Sequence, residues 1–64
     1  MALRQWLIDK RLDEGYTQAT LAKEADIGRS YYSLIENNKR TPRPKVSKKI
    51  ASILTLDWTL FYRD

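Results

Sequence analysis

The strongest constraint in this chain is the run from Gln18 to Asn37, QATLAKEADIGRSYYSLIEN. It fits two short amphipathic helices joined by a tight turn. One is expected over about Gln18 to Ala25, with Leu21, Ala22 and Ala25 as its inner face. The other starts at Gly28 or Arg29 and ends near Asn37. Thr17 is the expected N-cap of the first helix, and small Ala22 and Ala25 let neighbouring helices approach closely. The second helix runs directly into a basic segment, NKRTPRPKVSKK.

The flanks are helical too. A first helix is expected over about Leu3 to Glu14, with Leu3, Leu7 and Arg11 at i, i+4, i+8, Ile8 and Leu12 beside them, and Gly15 ending it. Pro42 and Pro44 bound a loop, and Pro44 suits the first turn of a helix that runs to Leu54 on the stripe Val46, Ile50, Ala51 and Leu54. Asp57 can cap a last short helix, Trp58 to Tyr62, with Leu56 and Phe61 placed as a hydrophobic staple. No stretch alternates as a strand would. The expectation is an all-α chain of five short helices forming one domain over residues 1–64.

Sixty-four residues lie near the lower limit for folding without staples. There is no cysteine and no histidine, which excludes disulfides, Cys/His zinc sites and His-based catalysis. Eight scattered carboxylates with no glycine-rich phosphate loop argue against an enzyme, and no metal, cofactor or small-molecule ligand is implied. No apolar run approaches the ~20 residues that span a membrane, and the start MALRQWLIDK lacks the apolar stretch of a signal peptide. A cytoplasmic protein with no membrane partner is the expectation.

Charge is unevenly placed. The chain carries a net +4. Residues 29–49 hold Arg29, Lys39, Arg40, Arg43, Lys45, Lys48 and Lys49 against Glu36 alone, so the rest of the chain is net acidic. Helix, turn, helix and basic flank are together the layout of a DNA major-groove reader. On a wheel of residues 29–37, Tyr32 and Ile35 point one way, and Ser30, Ser33, Leu34 and Asn37 roughly the other, with Arg29 at the N-terminal end. Short polar side chains let a helix approach base edges. Arg29 can pair with guanine through two hydrogen bonds, and Leu34 can meet a thymine methyl. Thr17 and Gln18 open a helix whose N-terminal N–H groups favour a phosphate. Lys39, Arg40 and Arg43 can track the backbone or enter a narrow minor groove, whereas Lys45, Lys48 and Lys49 belong first to the solvated face of their helix.

Two charges fall awkwardly. Arg11 stands four residues after Leu7 on an inward face, and Glu36 follows the core residue Ile35. Paired, they would tie the first helix to the third. The C-terminal segment is awkward in another way: Leu56, Trp58, Leu60, Phe61 and Tyr62 crowd into a stretch with only one inner face. Leu56, Trp58, Leu60 and Phe61 are therefore expected to form the interface of a homodimer.

These residues resemble the Xre/Cro-type helix-turn-helix family of bacterial and phage repressors. The resemblance runs from about Leu3 to Tyr62 and rests on RLDEGYTQATLA (Arg11–Ala22), SYYSLIENNKRTP (Ser30–Pro42) and KKIASIL (Lys48–Leu54). It implies a compact lambda-repressor-like domain, a phosphate contact from Gln18 and base contacts from Arg29, Ser30, Ser33 and Leu34. It further implies backbone contacts from Asn37 and Lys39, an Arg11–Glu36 pair, and a dimer formed through the C-terminal part on a pseudo-palindromic operator in double-stranded DNA. The departures carry information. Asp26, Asn38 and Thr55 stand where the family has Gly. Asp and Asn tolerate the left-handed backbone, but Thr does not, so an altered end to the fourth helix is expected. Tyr32 replaces an Ile or Val, so its ring needs room and its hydroxyl a partner. Gly28 replaces a Ser or Thr cap. The alternative within the same fold is an antitoxin-like protein-interaction module with autoregulatory DNA binding.

Overall fold

The computed structural model describes residues 3–63. Met1, Ala2 and Asp64, part of the single domain expected over 1–64, lie outside the described residues. Four α-helices follow one another: α1 (Gln5–Asp13), α2 (Gln18–Glu24), α3 (Arg29–Glu36) and α4 (Pro44–Leu54). No strand occurs among the described residues. The fifth helix differs from expectation. Trp58–Tyr62 is a 3-10 helix, η1, with Asp57 accepting from the Thr59 N–H at 3.0 Å. Five residues leave room for little more than i→i+3 bonding, such as Leu60 N–H to Asp57 carbonyl.

The core is built where the helices cross. α2 packs on α3 and α4, α1 packs on α3, and η1 folds back on α4. Leu7, Leu21, Ile35, Ile50 and Leu54 are fully buried, each stabilising the fold by about 1.5–3 kcal/mol. Ala22 and Ala25 are buried with them, which allows the close approach of α2. On α4, Ser47 is fully buried and Val46 only partly, so the expected stripe is rotated slightly. The Tyr62 hydroxyl donates to the Pro42 carbonyl at 2.6 Å and lies 2.9 Å from Ser47 Oγ, which explains the polar group at that buried position.

α1 departs from expectation at both ends. It starts at Gln5, because Arg4 is non-helical and its N–H donates to the Glu36 carbonyl at 2.8 Å. Leu3 and Leu12 are 51% and 60% exposed. Leu7 and Arg11 define the inward line, and Leu12 sits about 100° round from Arg11, facing solvent.

All four α-helices end in the same way. Gly15, Asp26, Asn38 and Thr55 have φ of 81°, 58°, 59° and 58°. The next residue's N–H closes onto the last turn: Tyr16 to Arg11, Ile27 to Ala22, Lys39 to Leu34 and Leu56 to Ala51, all at 2.9–3.0 Å. This is the Schellman arrangement, which satisfies carbonyls the helix leaves open. Tyr16, Ile27 and Leu56 also pack against the core, anchoring three of the four ends. Thr55 thus holds the left-handed conformation despite its branched side chain, and the expected change at the end of α4 is absent. The anchoring of Leu56 and the Leu56–Ala51 bond outweigh a steric cost of about 1–2 kcal/mol. Thr55 is exposed, so Thr55→Gly removes that cost without opening a cavity. The expected gain is about 1 kcal/mol, less whatever the freer unfolded chain takes back, seen as a rise of a few degrees in Tm. A lower Tm on differential scanning calorimetry would show that Thr55 is not strained.

Candidate nucleic-acid interface

At the centre of the helix-turn-helix unit lies Glu36, 2% exposed. Its Oε2 accepts from Arg11 Nε at 2.6 Å and from the Tyr32 hydroxyl at 2.6 Å. Its Oε1 accepts from Gln18 Nε2 at 2.9 Å and, more distantly, from Arg11 Nη2 at 3.4 Å. Arg11 Nη1 donates in turn to the Tyr16 carbonyl at 2.9 Å. One carboxylate therefore joins α1, α2 and α3, and the Tyr32 hydroxyl finds the partner that its position requires. No buried side-chain N or O among the described residues lacks a partner. Burial alone would raise the Glu36 carboxyl, but the hydrogen bonds from Arg11, Tyr32 and Gln18 and the charge of Arg11 outweigh it and hold it below the usual carboxylate range. Burial and the neighbouring carboxylate push the Tyr32 phenol upward. The Arg11 guanidinium is raised chiefly by its hydrogen bond to Glu36, against the effect of burial.

This network fixes what lies outside it. α3 buries Tyr32, Ile35 and Glu36 and turns the opposite face outward. Arg29 and Ser30 are exposed, and Ser33, Leu34 and Asn37 are half-buried along the same side. Gln18, Arg29, Ser30 and Ser33 line one open depression of about 280 Å³. The structure thus brings together Gln18 and three of the four residues expected to read bases, with Leu34 beyond the rim. Because an amide carries two N–H donors, Gln18 keeps one for an outside partner while Glu36 holds the other. Thr17 caps α2 through a reciprocal box, its Oγ1 accepting from Thr20 N–H at 3.1 Å and Thr20 Oγ1 from Thr17 N–H at 2.9 Å. Gly28 caps α3 with no side-chain bond.

Lys39, Arg40 and Arg43 are exposed on the loop between α3 and α4. Glu36, the single acid of residues 29–49, is buried and paired, so every exposed formal charge in that stretch is positive. Lys48 lies over the Trp58 ring, 4.8 Å from its centroid, consistent with a place on the supporting face of α4.

The C-terminal segment requires a correction. Phe61 is 3% exposed and packs edge-on against Trp6, with centroids 5.0 Å apart. It is a core residue and is not available to a dimer interface, because η1 turns it under toward α1. Leu56 is half-buried against the core, and Trp58 and Leu60 are half-buried on η1. Arg4 is a residue that sequence patterns did not single out. It is 8% exposed and donates to the Ile35 and Arg40 carbonyls and to Asn38 Oδ1.

Comparison with known proteins fits this geometry. A sequence model of the helix-turn-helix family matches residues 7–61. The chain belongs to that family, of the Xre/Cro type. A protein of Bacillus subtilis (strain 168) described as the uncharacterized HTH-type transcriptional regulator YqaF is 52% identical over 62 residues, which cover 97% of this chain and 82% of that protein. The fold is similar to the N-terminal DNA binding domain of SinR from Bacillus subtilis, with a TM-score of 0.80 and 28% identity over 94% of this chain and 88% of that one. In this helix-turn-helix domain, no helix among the described residues is long and apolar enough to cross a membrane.

The network generates a test. A carboxylate held below its unfolded value stabilises the fold above the unfolded pKa of about 4.3, and that contribution is lost as pH falls through the lower folded value. Stability should therefore fall on acidification below about pH 4.3, and less steeply in Glu36→Gln. A double-mutant cycle on Arg11 and Glu36 by thermal unfolding should give a coupling of about 0.5–3 kcal/mol. Additive single-mutant effects would count against the pair.

Proposed function

We propose that this chain is a sequence-specific DNA-binding transcriptional regulator, acting as a repressor, that reads the major groove with α3. The observation that carries this reading is the exposed face of α3. Arg29, Ser30 and Ser33 share one open depression with Gln18, beside a loop whose exposed charges are all positive. Arg29 pairs with guanine, Ser30 and Ser33 reach base edges, and Leu34 meets a thymine methyl. Thr17, Gln18, Asn37, Lys39, Arg40 and Arg43 hold the phosphate backbone and set the register. The protein works as a homodimer on a pseudo-palindromic operator, with contact through Leu56, Trp58 and Leu60. The names of the relatives, a transcriptional regulator and a DNA binding domain, support the same reading.

Binding to a duplex selected from random sequence should weaken steeply with salt, with a log–log slope of several units at about 0.9 per phosphate. An affinity flat across salt would overturn the electrostatic account. Arg29→Ala should relax preference at one base pair by about 1–3 kcal/mol, whereas Lys39→Ala should weaken all sequences alike. Equal weakening of every duplex by Arg29→Ala would remove it as a base reader. In sedimentation with operator, wild type should run as a two-to-one complex and Leu60→Glu should not. A wild type that stays monomeric on operator, with unchanged affinity in Leu60→Glu, would exclude the dimer.

A further inference from the structure

The end of α3 is unlike the other three helix ends. Tyr16, Ile27 and Leu56 follow the left-handed residue and pack on the core, but the residue in that place after α3 is Lys39, which is exposed. The last turn of α3 and the loop behind it therefore lack the apolar anchor that the others have. What holds them is Arg4. Its backbone N–H donates to the Glu36 carbonyl at 2.8 Å. Its guanidinium donates through Nη1 to the Ile35 carbonyl at 3.1 Å and the Arg40 carbonyl at 3.3 Å, and through Nη2 to Asn38 Oδ1 at 2.8 Å. The same group lies 5.5 Å from the centroid of Phe61, so its own position is set by the core. A cation at the carbonyl end of a helix is also favourable to the helix dipole. The far side of the loop is fixed separately, where the Tyr62 hydroxyl donates to the carbonyl of buried Pro42.

We infer that Arg4 is a positioning residue for nucleic-acid binding: it pins the backbone of residues 35–40, and so sets where Asn37, Lys39 and Arg40 meet the phosphates. At 8% exposure, buried beneath the loop, it acts through that backbone and not by touching DNA itself. The inference rests on the proposed reading of α3 and its loop as the DNA-contacting surface. A flexible loop can carry the same charges, but each phosphate contact then loses the geometry that makes it reliable.

The test compares Arg4→Met, Arg4→Lys and Asn38→Gly with wild type on the selected duplex, at a temperature where all are folded. Asn38→Gly keeps the left-handed turn and deletes the Oδ1 partner, so it tests the same tether even if Arg4→Met does not fold. Ile53→Ala, half-buried on α4, is the control for lost stability alone. Arg4→Met should weaken binding roughly tenfold and lower the magnitude of the salt slope by about 1–2, the equivalent of one or two phosphate contacts. Arg4→Lys keeps the charge but not the fork and should not restore either value. Asn38→Gly should shift both in the same direction by a smaller amount. Amide exchange at Lys39 and Arg40, whose N–H groups both donate to the Leu34 carbonyl, should quicken in Arg4→Met without DNA present. Wild-type affinity and slope in Arg4→Met or Asn38→Gly would overturn the inference. So would full rescue by Arg4→Lys, or an equal loss in Ile53→Ala. Failure of wild type to bind any duplex would instead overturn the proposed function, a result distinct from binding that ignores Arg4.

Discussion

Much of this domain depends on one carboxylate kept away from water. Burying Glu36 is costly unless its lone pairs are filled, and they are filled from α1, α2 and α3 by Arg11, Gln18 and Tyr32. Each of those helices is short, between seven and nine residues, so none presents much apolar area of its own. The network adds what apolar packing does not supply, namely direction. Leu7, Leu21 and Ile35 would tolerate some sliding of one helix on another, but a fork and a hydroxyl converging on one carboxylate do not. The angle between α2 and α3 is therefore set by the same atoms that hold the Gln18 amide at the edge of the proposed reading face.

The pairing also shapes the electrostatic surface. A stretch with seven bases and one acid would already be basic, yet an exposed Glu36 at the end of α3 would sit beside any approaching phosphate. Drawn inward and neutralised by Arg11, it leaves Arg29, Lys39, Arg40 and Arg43 without a competing negative charge from their own segment. Fold specificity and surface potential are thus served by a single buried ion pair.

How much of this was legible in the sequence varied with the kind of signal. Arg11 and Glu36 stood out because a charge on an apolar line demands a partner. Ser30 and Ser33 could be placed on the outer face of α3, with Arg29 at its start, because helical periodicity over eight residues leaves little choice, whereas the meeting of Gln18 of α2 with them depends on how the two helices pack. Helix periodicity misled at Leu12, where an apolar residue simply faces water, and at Leu3, which precedes the helix. In η1 it had nothing to act on: among five residues, four of them apolar or aromatic, no pattern tells that Phe61 is buried, Leu60 half-buried and Tyr62 exposed. Arg4 was invisible for a different reason. Two of its acceptors are backbone carbonyls more than thirty residues away, and carbonyls carry no sequence signature.

The burial of Phe61 changes what a dimer can be made of. With that ring committed to Trp6 and Trp58 lying beneath Lys48, the apolar area left on η1 is modest: Leu60 is half-buried, and only Tyr62 is exposed. Small contacts of this kind rarely hold two subunits together unaided. Under the proposed function they do not have to. The Cα atoms span 26 × 21 × 21 Å, and side chains extend roughly 3 Å further on each side. Two such bodies on half-sites about 34 Å apart would stand nearly in contact if their long axes lay along the duplex. DNA would then supply the translational and rotational ordering that a small interface cannot, and the protein contact would only need to favour one spacing over others. A weak interface becomes an advantage in that setting, since free subunits exchange quickly and only a correctly spaced pair of half-sites holds both.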